Sequence, residues 1–321
     1  MLYSLFAIKY IMIIGGIAAF VLTITLMKAL ADKLPHDQGR AFAVEGTLSK
    51  GKVRGAGIVF VLVFAACNLL FNEFTVERLL YTVIIVLCML TGFFDDAAEK
   101  PWNEYLKGAL DFVLAVAVAV VYLYFNGNSF KIGIAGGYTV TIPYILYGIL
   151  IVILVWTAIN VTNCTDGVDG LSATLTIITL GSFYLLSSRT AQGLGISSND
   201  YSVAIFIIVL VAYLWYNANP SSMLMGDAGS RAMGMMIAIT ALGSGYPLLY
   251  IPFSIVMILD GGLGLVKVAL LRYLKIKILA NTRCPLHDHA RKVKEWSNTQ
   301  VVFRFAILQF AVSVLFVWLC M

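Results

Sequence analysis

"PYILYGILIVILVWTAINVTNCTDGVDGLSATLTIITLGSFYLL", residues 143–186, decides the fold. Two apolar runs flank a short polar turn, and neither run alternates apolar with polar as a half-buried strand does. A helix rises about 1.5 Å per residue, so about 20 mainly apolar residues cross a hydrocarbon core about 30 Å thick. The runs at 143–160 and 170–187 approach that length. Charge is scarce on both sides. The anomaly is therefore the pair Asp166 and Asp169, cushioned by Gly167 and Gly170.

The rest of the chain follows the same pattern. Of 321 residues, 60% are hydrophobic and 12% charged, against about 45–50% and about 25% in soluble domains. A soluble protein of this composition has no means of covering its surface. The chain reads as an all-α polytopic membrane protein and not as a barrel, whose strands would alternate. Ten candidate spans fall roughly at 4–30, 56–71, 77–92, 105–125, 143–160, 170–187, 201–216, 230–243, 247–273 and 301–320. Several are short for the core, which implies tilt or a thinned bilayer. The fourth carries Asp111 near its start. The stretch "NGNSFKIGIAGGYTVTIP" (126–143) alternates and predicts a small hairpin outside the membrane core. In the ninth span, Asp260-Gly261-Gly262-Leu263-Gly264 predicts a break or bend. Asp260 is then either an intramembrane functional acid or the cap of a second half-helix. The first apolar stretch, Ile11 to Met27, precedes no small-residue cleavage site and is expected to remain as a span. The five cysteines form no CxxC pair, so neither a disulfide framework nor a zinc site is expected. No internal repeat or long linker divides residues 1–321, and a single transmembrane domain is expected.

Net charge is +5, and in a membrane protein its distribution speaks of orientation more than of acidic partners; no nucleic acid is expected. Lys33, Arg40, Lys50, Lys52 and Arg54 follow the first span. Lys100 and Lys107 follow the third, and Arg231 closes the loop after the seventh. Lys275, Lys277, Arg283, Arg291, Lys292 and Lys294 follow the ninth. The other loops and their edges hold only Arg78, Lys131 and Arg189. Cations mark the cytoplasmic side. The odd-numbered loops are therefore expected in the cytoplasm and both termini outside. On that assignment every acidic or histidine cluster lies on one membrane face, which argues for one polar site built by several helix ends.

Each cluster has a chemical and a structural reading. Asp95-Asp96 closes a span, either as solvated interfacial acids or as a base or Mg²⁺ site, Mg²⁺ being held by one or two carboxylates plus phosphates and water. Asp166 and Asp169, at i and i+3, share one face of a starting helix. Capping accounts for one of them well and for two less well. Asn163 adds an amide suited to a base or a sugar. Gly226-Asp227-Ala228-Gly229-Ser230 stands before the eighth span, where helix N–H groups favour phosphate and Asp227 suits a bridging metal. His287, Asp288 and His289 lack a further ligand set for zinc, and their basic neighbours favour an anion. There is no Walker A sequence, no GxGxxG after a strand and no GxSxG elbow. Acids for Mg²⁺, cations and helix starts for phosphate, and a bilayer alongside suggest phosphoryl transfer from a soluble donor to a lipid acceptor.

Five stretches, "LPHDQGRAFAVEGTLSKGKVRGAG" (34–57), "GFFDDAAEK" (92–100), "NCTDGVDGLSA" (163–173), "NANPSSMLMGDAGS" (217–230) and "CPLHDHARKVKEWSNTQVVFRF" (284–305), together resemble the bacterial phospho-N-acetylmuramoyl-pentapeptide transferase family. That family lies within the polyprenyl-phosphate N-acetylhexosamine-1-phosphate transferases. The resemblance implies ten helices, a site on the cytoplasmic face of the bacterial cytoplasmic membrane, Mg²⁺ dependence and a homodimer. It implies transfer from UDP-MurNAc-pentapeptide to undecaprenyl phosphate, giving lipid I and UMP. By the same resemblance Asp95, Asp96, Asp227 and His287 are catalytic, with Asp227 and Asp95 on the metal. Lys50, Lys107, Asn163, Asp166, Gly167, Asp169, Asn217, Ser230 and His289 meet the substrates, with Lys52 an alternative match to Lys50. Two departures stand out. Asp288 replaces the middle of three histidines, and "KVRGAG" puts Arg54 where the family is mostly uncharged.

Overall fold

The computed structural model describes residues 8–37, 39, 49–100, 102–133, 137–189 and 201–320. The start of the first expected span (4–7) and Arg40 lie outside the described residues. The chain is mostly helical. Its long helices are α1 (Ile8–Leu30), α2 (Gly57–Phe71), α3 (Val76–Ala97), α4 (Glu104–Asn126), α5 (Tyr144–Thr165), α6 (Leu171–Arg189), α7 (Ser202–Asn217) and α8 (Gly226–Gly243). A helix pair, α9 (Pro247–Phe253) and α10 (Ile255–Leu274), follows with a bend of 69°. The short α11 (Leu286–Lys292) and the long α12 (Asn298–Leu319) complete the chain.

Among the described residues, five helices are long and apolar enough to cross a membrane, or six if the bent pair is one span. Three shorter apolar helices, Gly57–Phe71, Leu171–Ser187 and Ser202–Asn217, pack among them. The helices begin and end where capping chemistry is available. Thr75 accepts the N–H of Arg78 at the start of α3, and Asn103 accepts that of Leu106 at the start of α4. Ser297 and Gln300 form a capping box on α12. The expected hairpin is present as β1 (Ser129–Ile132) paired antiparallel with β2 (Tyr138–Thr141).

The hub is α8, buried along most of its length and packed against α2, α3, α5 and α6. Small residues allow this approach. A Cβ on Gly92 of α3 would lie 2.3 Å from the Asp227 carbonyl oxygen, so no other residue lets the two backbones come this close.

Several sequence boundaries need correction. The third span runs on to Ala97, so Asp95 and Asp96 occupy the last turn of a helix and do not open a loop. The eighth helix starts at Gly226, with Asp227 inside its first turn and no side-chain cap. Arg231 is therefore not a loop cation. It is buried in α8 and paired with Asp111 of α4, and α4 runs unbroken through that acid. In the ninth span the sharp bend lies at Ser254, between α9 and α10, while the glycines sit in and after a π-helical turn at Ile258–Gly262. Gln309 of α12 supports the bend, accepting the N–H of Val256 at 2.9 Å and donating to the Pro252 carbonyl at 3.1 Å.

Candidate active site

Three helix ends and one extended strand deliver the central charges. Residues 53–57 run beside 223–225. Leu224 donates to the Val53 carbonyl at 2.8 Å, Ala56 to that of Leu224 at 3.1 Å, and Gly57 to that of Met225 at 3.1 Å. This pairing fixes Arg54 against the start of α8. The last turn of α3 supplies Asp95 and Asp96, the first turn of α8 supplies Asp227, and the first turn of α4 supplies Lys107.

The charges alternate in sign. The buried carboxylate of Asp96 lies 2.8 Å from Arg54 Nη2 and accepts the Ala228 N–H at 3.1 Å. Arg54 also stands 3.8 Å from Asp227 and 3.6 Å from Asp37. Burial opposes the Arg54 charge, but the carboxylates of Asp96, Asp227 and Asp37 outweigh it and raise its pKa above the usual arginine value. Lys107 ion-pairs with Asp95 and lies 3.3 Å from Asp227 Oδ2. Asp95 also accepts the Trp102 N–H at 2.7 Å. Two cations thus bridge four acids, three of them from two helices.

Among the described residues no group of three His, Cys, Asp or Glu side chains converges to hold a metal unaided. The donor chemistry nevertheless fits Mg²⁺. It prefers hard oxygen ligands and is commonly held by one or two carboxylates, with substrate phosphates completing the shell. Asp227 and Asp95, whose Oδ2 atoms both face Lys107, are the carboxylates available for it.

The turn quoted at the outset divides differently from its sequence reading. The backbone puts Asp166 at the C-cap of α5, and α6 begins only at Leu171. Neither aspartate lies on the face of a starting helix. Asp169 accepts the Ser221 N–H at 2.9 Å and meets Lys52 at 3.4 Å, and Lys52 donates to Ser221 Oγ at 2.9 Å. Asp169 therefore braces the segment that leads into α8. Asn217 does similar work. Its amide oxygen accepts the Gly170 N–H and its nitrogen donates to the Met223 carbonyl, each at 2.9 Å. Asn163 donates to Ser230 Oγ at 2.9 Å, tying the end of α5 to the first turn of α8. Lys50 is exposed, and it is Lys52 that meets the turn.

The histidine segment joins the same turn. His287 is buried, with its backbone N–H 2.7 Å and its ring Nδ1 2.8 Å from the two carboxylate oxygens of Asp260. A Cβ on Gly167 would lie 2.2 Å from His287 Nε2, so only glycine lets this ring seat against the turn. Asp288 lies 3.8 Å from Nε2. His289 accepts the Arg283 N–H at 3.3 Å. Sequence reasoning left Asp260 undecided and noted Arg54 as a departure that could add positive charge near the phosphates, without counting it among the site residues. It missed the pairing of Asp111 with Arg231, although two opposite charges inside apolar spans were the available signal.

This is a polytopic helical membrane protein whose acids and cations gather where several helix ends meet, and its residues 78–245 match the model of glycosyl transferase family 4. The chain is 41% identical over 307 residues to the phospho-N-acetylmuramoyl-pentapeptide-transferase of Treponema pallidum (strain Nichols), covering 91% of this chain and 84% of that one. It is 27% identical over 269 residues to the protein of that name from Wolbachia pipientis wMel (80% and 81% covered), and 27% identical over 320 residues to that of Staphylococcus carnosus (95% and 98%). The chain belongs to the phospho-N-acetylmuramoyl-pentapeptide transferase family.

Proposed function

We propose that this protein transfers phospho-MurNAc-pentapeptide from UDP-MurNAc-pentapeptide to undecaprenyl phosphate, giving lipid I and UMP for peptidoglycan synthesis. One observation carries the reading: Asp95, Asp96, Lys107 and Asp227 meet where α3, α4 and α8 join, inside an apolar helical bundle. Phosphoryl transfer asks the protein chiefly for positioning and electrostatic stabilisation, and this cluster is rich in both.

An oxygen of the lipid phosphate attacks the sugar-linked phosphorus. The bond from that phosphorus to the bridging oxygen breaks, and UMP leaves with the electron pair. The second pKa of a phosphate monoester is about 6, so most acceptor is already dianionic at neutral pH and needs little activation. Lys107 and Arg54 offset the phosphate charge, while Asp95 and Asp96 hold those cations in place. Asp227 and Asp95 would hold Mg²⁺, which would supply charge neutralisation for the pyrophosphate and the leaving UMP. Asn163, Asp166 and Gly167 line the side on which the nucleotide-sugar enters, next to His287, with His289 further along the same helix.

In the finer topology, the three shorter helices and α8 also cross the bilayer, giving ten spans with both termini and the hairpin outside. The cation-rich loops support a site on the cytoplasmic face of the bacterial cytoplasmic membrane. A helix of 15–17 residues reaches only about 23–26 Å, which implies tilt or a thinned bilayer. A homodimer completes the proposal. The competing enzyme reading takes UDP-GlcNAc as donor to the same lipid. An ion-coupled transporter ranks below both, because its path needs polar groups across the bilayer.

The test is donor competition with purified protein and undecaprenyl phosphate. UMP release from UDP-MurNAc-pentapeptide, and little from UDP-GlcNAc, is expected. The reverse preference would move the chain to the other transferase class, and substrate transport without UMP release would overturn both.

A further inference from the structure

We propose that Asp260 is a positioning residue for His287: it fixes the ring proton on Nδ1 and turns Nε2 toward the donor side, at the Gly167 turn. The bond pattern carries this. Asp260 is 0% exposed. One of its oxygens accepts the His287 backbone N–H at 2.7 Å, and the other meets ring Nδ1 at 2.8 Å. A backbone N–H can only donate, and an ionised carboxylate can only accept. A carboxylate acceptor facing an Nδ1–H donor is the arrangement that fits this pair of contacts, and it is the proton placement the proposal assigns. Holding ring and backbone together also removes the rotation that would let Nε2 turn away.

The surroundings aim the other nitrogen. Gly167 lies flat against Nε2, and Arg291 reaches the Gly167 carbonyl at 3.4 Å. Asp260 itself comes from the π-helical turn of α10, which packs on α5 at the level of Val161 and Thr165. Asp260 thus ties the bent helix to the histidine segment, and through the His287 ring to the Thr165–Gly167 turn. An unpaired carboxylate in an apolar helix is costly, and pairing it to a histidine at the site offsets that cost while orienting the ring. The tautomer of a histidine is commonly set by what its second nitrogen bonds.

The activity readout rests on the transferase reading, and the spectroscopic one does not. The experiment combines a double-mutant cycle on UMP release with ¹⁵N-histidine NMR at high pH, where neutral tautomers are distinguished. There are only three histidines, so His36→Gln and His289→Gln variants assign the spectrum. The wild type is expected to show His287 protonated on Nδ1, and Asp260→Asn to shift it toward the Nε2–H form. Asp260→Asn should lower kcat/KM about 10–100-fold, by analogy with the loss of a carboxylate that orients a metal-bound histidine. Asp260→Glu should retain more activity than Asp260→Asn. In a His287→Ala background, Asp260→Asn should cost nothing further. An unchanged tautomer in Asp260→Asn, or a loss that adds in full to that of His287→Ala, overturns the proposal. A wild type that releases no UMP defeats the transferase reading, while the spectrum still decides this one.

Discussion

Arg54 is the residue whose chemistry does most to define the site. It stands between Asp37, Asp96 and Asp227, so removing it leaves a buried carboxylate facing a like charge. A hydrogen bond to a charged group is worth about 1.5–3 kcal/mol, which corresponds to about 10–100-fold in rate. Arg54→Gln is expected to lose activity in that range, measured as the initial rate of UMP release. Arg54→Lys keeps the charge but not the fork of donors, and should fall between. Asp96→Asn separates a base from an electrostatic partner. The acceptor phosphate sheds its last proton at a pKa of about 6. A base is therefore needed only while that proton remains, and its loss should be rescued above about pH 8. We expect no rescue, because Asp96 is bound to Arg54 and the Ala228 N–H. Recovery of wild-type rates at high pH would make Asp96 the base.

At the scale of elements, α4 and α8 carry a reciprocal pair of charge contacts. Lys107 faces Asp227, and one turn along each helix Asp111 faces Arg231. The inner pair sits away from water with Asn160 in support and ties α4 to α8 one turn in from the outer pair. Removing one buried partner strands the other charge and costs about 3–5 kcal/mol, whereas replacing both with apolar residues is often neutral or stabilising. Arg231→Met is therefore expected to lower the thermal midpoint in detergent, and Asp111→Leu with Arg231→Met to restore it. A midpoint for Arg231→Met equal to that of the wild type would show that the buried pair adds nothing to stability. These details also mark where the sequence stopped being legible. Apolar length and periodicity located the helices, because burial in lipid imposes a strong pattern. At some boundaries the rule was to read a charge as loop, although Asp111 and Asp260 were kept inside spans. That rule misplaced Asp95, Asp96 and Arg231, whose charges are neutralised by partners far along the chain and so do not end a helix. The contacts of Asp260, Asp169 and Asn217 were equally hidden, since spacing along one chain says nothing of which turn faces which.

For the whole molecule, the sequence placed its polar motifs on one face, and the structure brings them into a continuous set of contacts. Asp95, Asp96, Lys107 and Arg54 connect through α8 to Asn163 and Ser230. From there the Thr165–Gly167 turn leads to Asp169, Lys52, His287 and Asp260. The proposed orientation puts the 275–298 segment in the cytoplasm. With the five native cysteines replaced by serine, a cysteine introduced at Lys277 should react with a membrane-impermeant maleimide in inverted vesicles and stay protected in intact spheroplasts. Labelling from outside would reverse the assignment. The most direct test of the central claim uses purified protein with UDP-MurNAc-pentapeptide, undecaprenyl phosphate and Mg²⁺. Lipid I and UMP are measured together, with Asp227→Ala and chelated metal as companions. The account predicts equal amounts of the two products from the wild type, and their loss both in Asp227→Ala and on chelation. Full turnover by Asp227→Ala would contradict it.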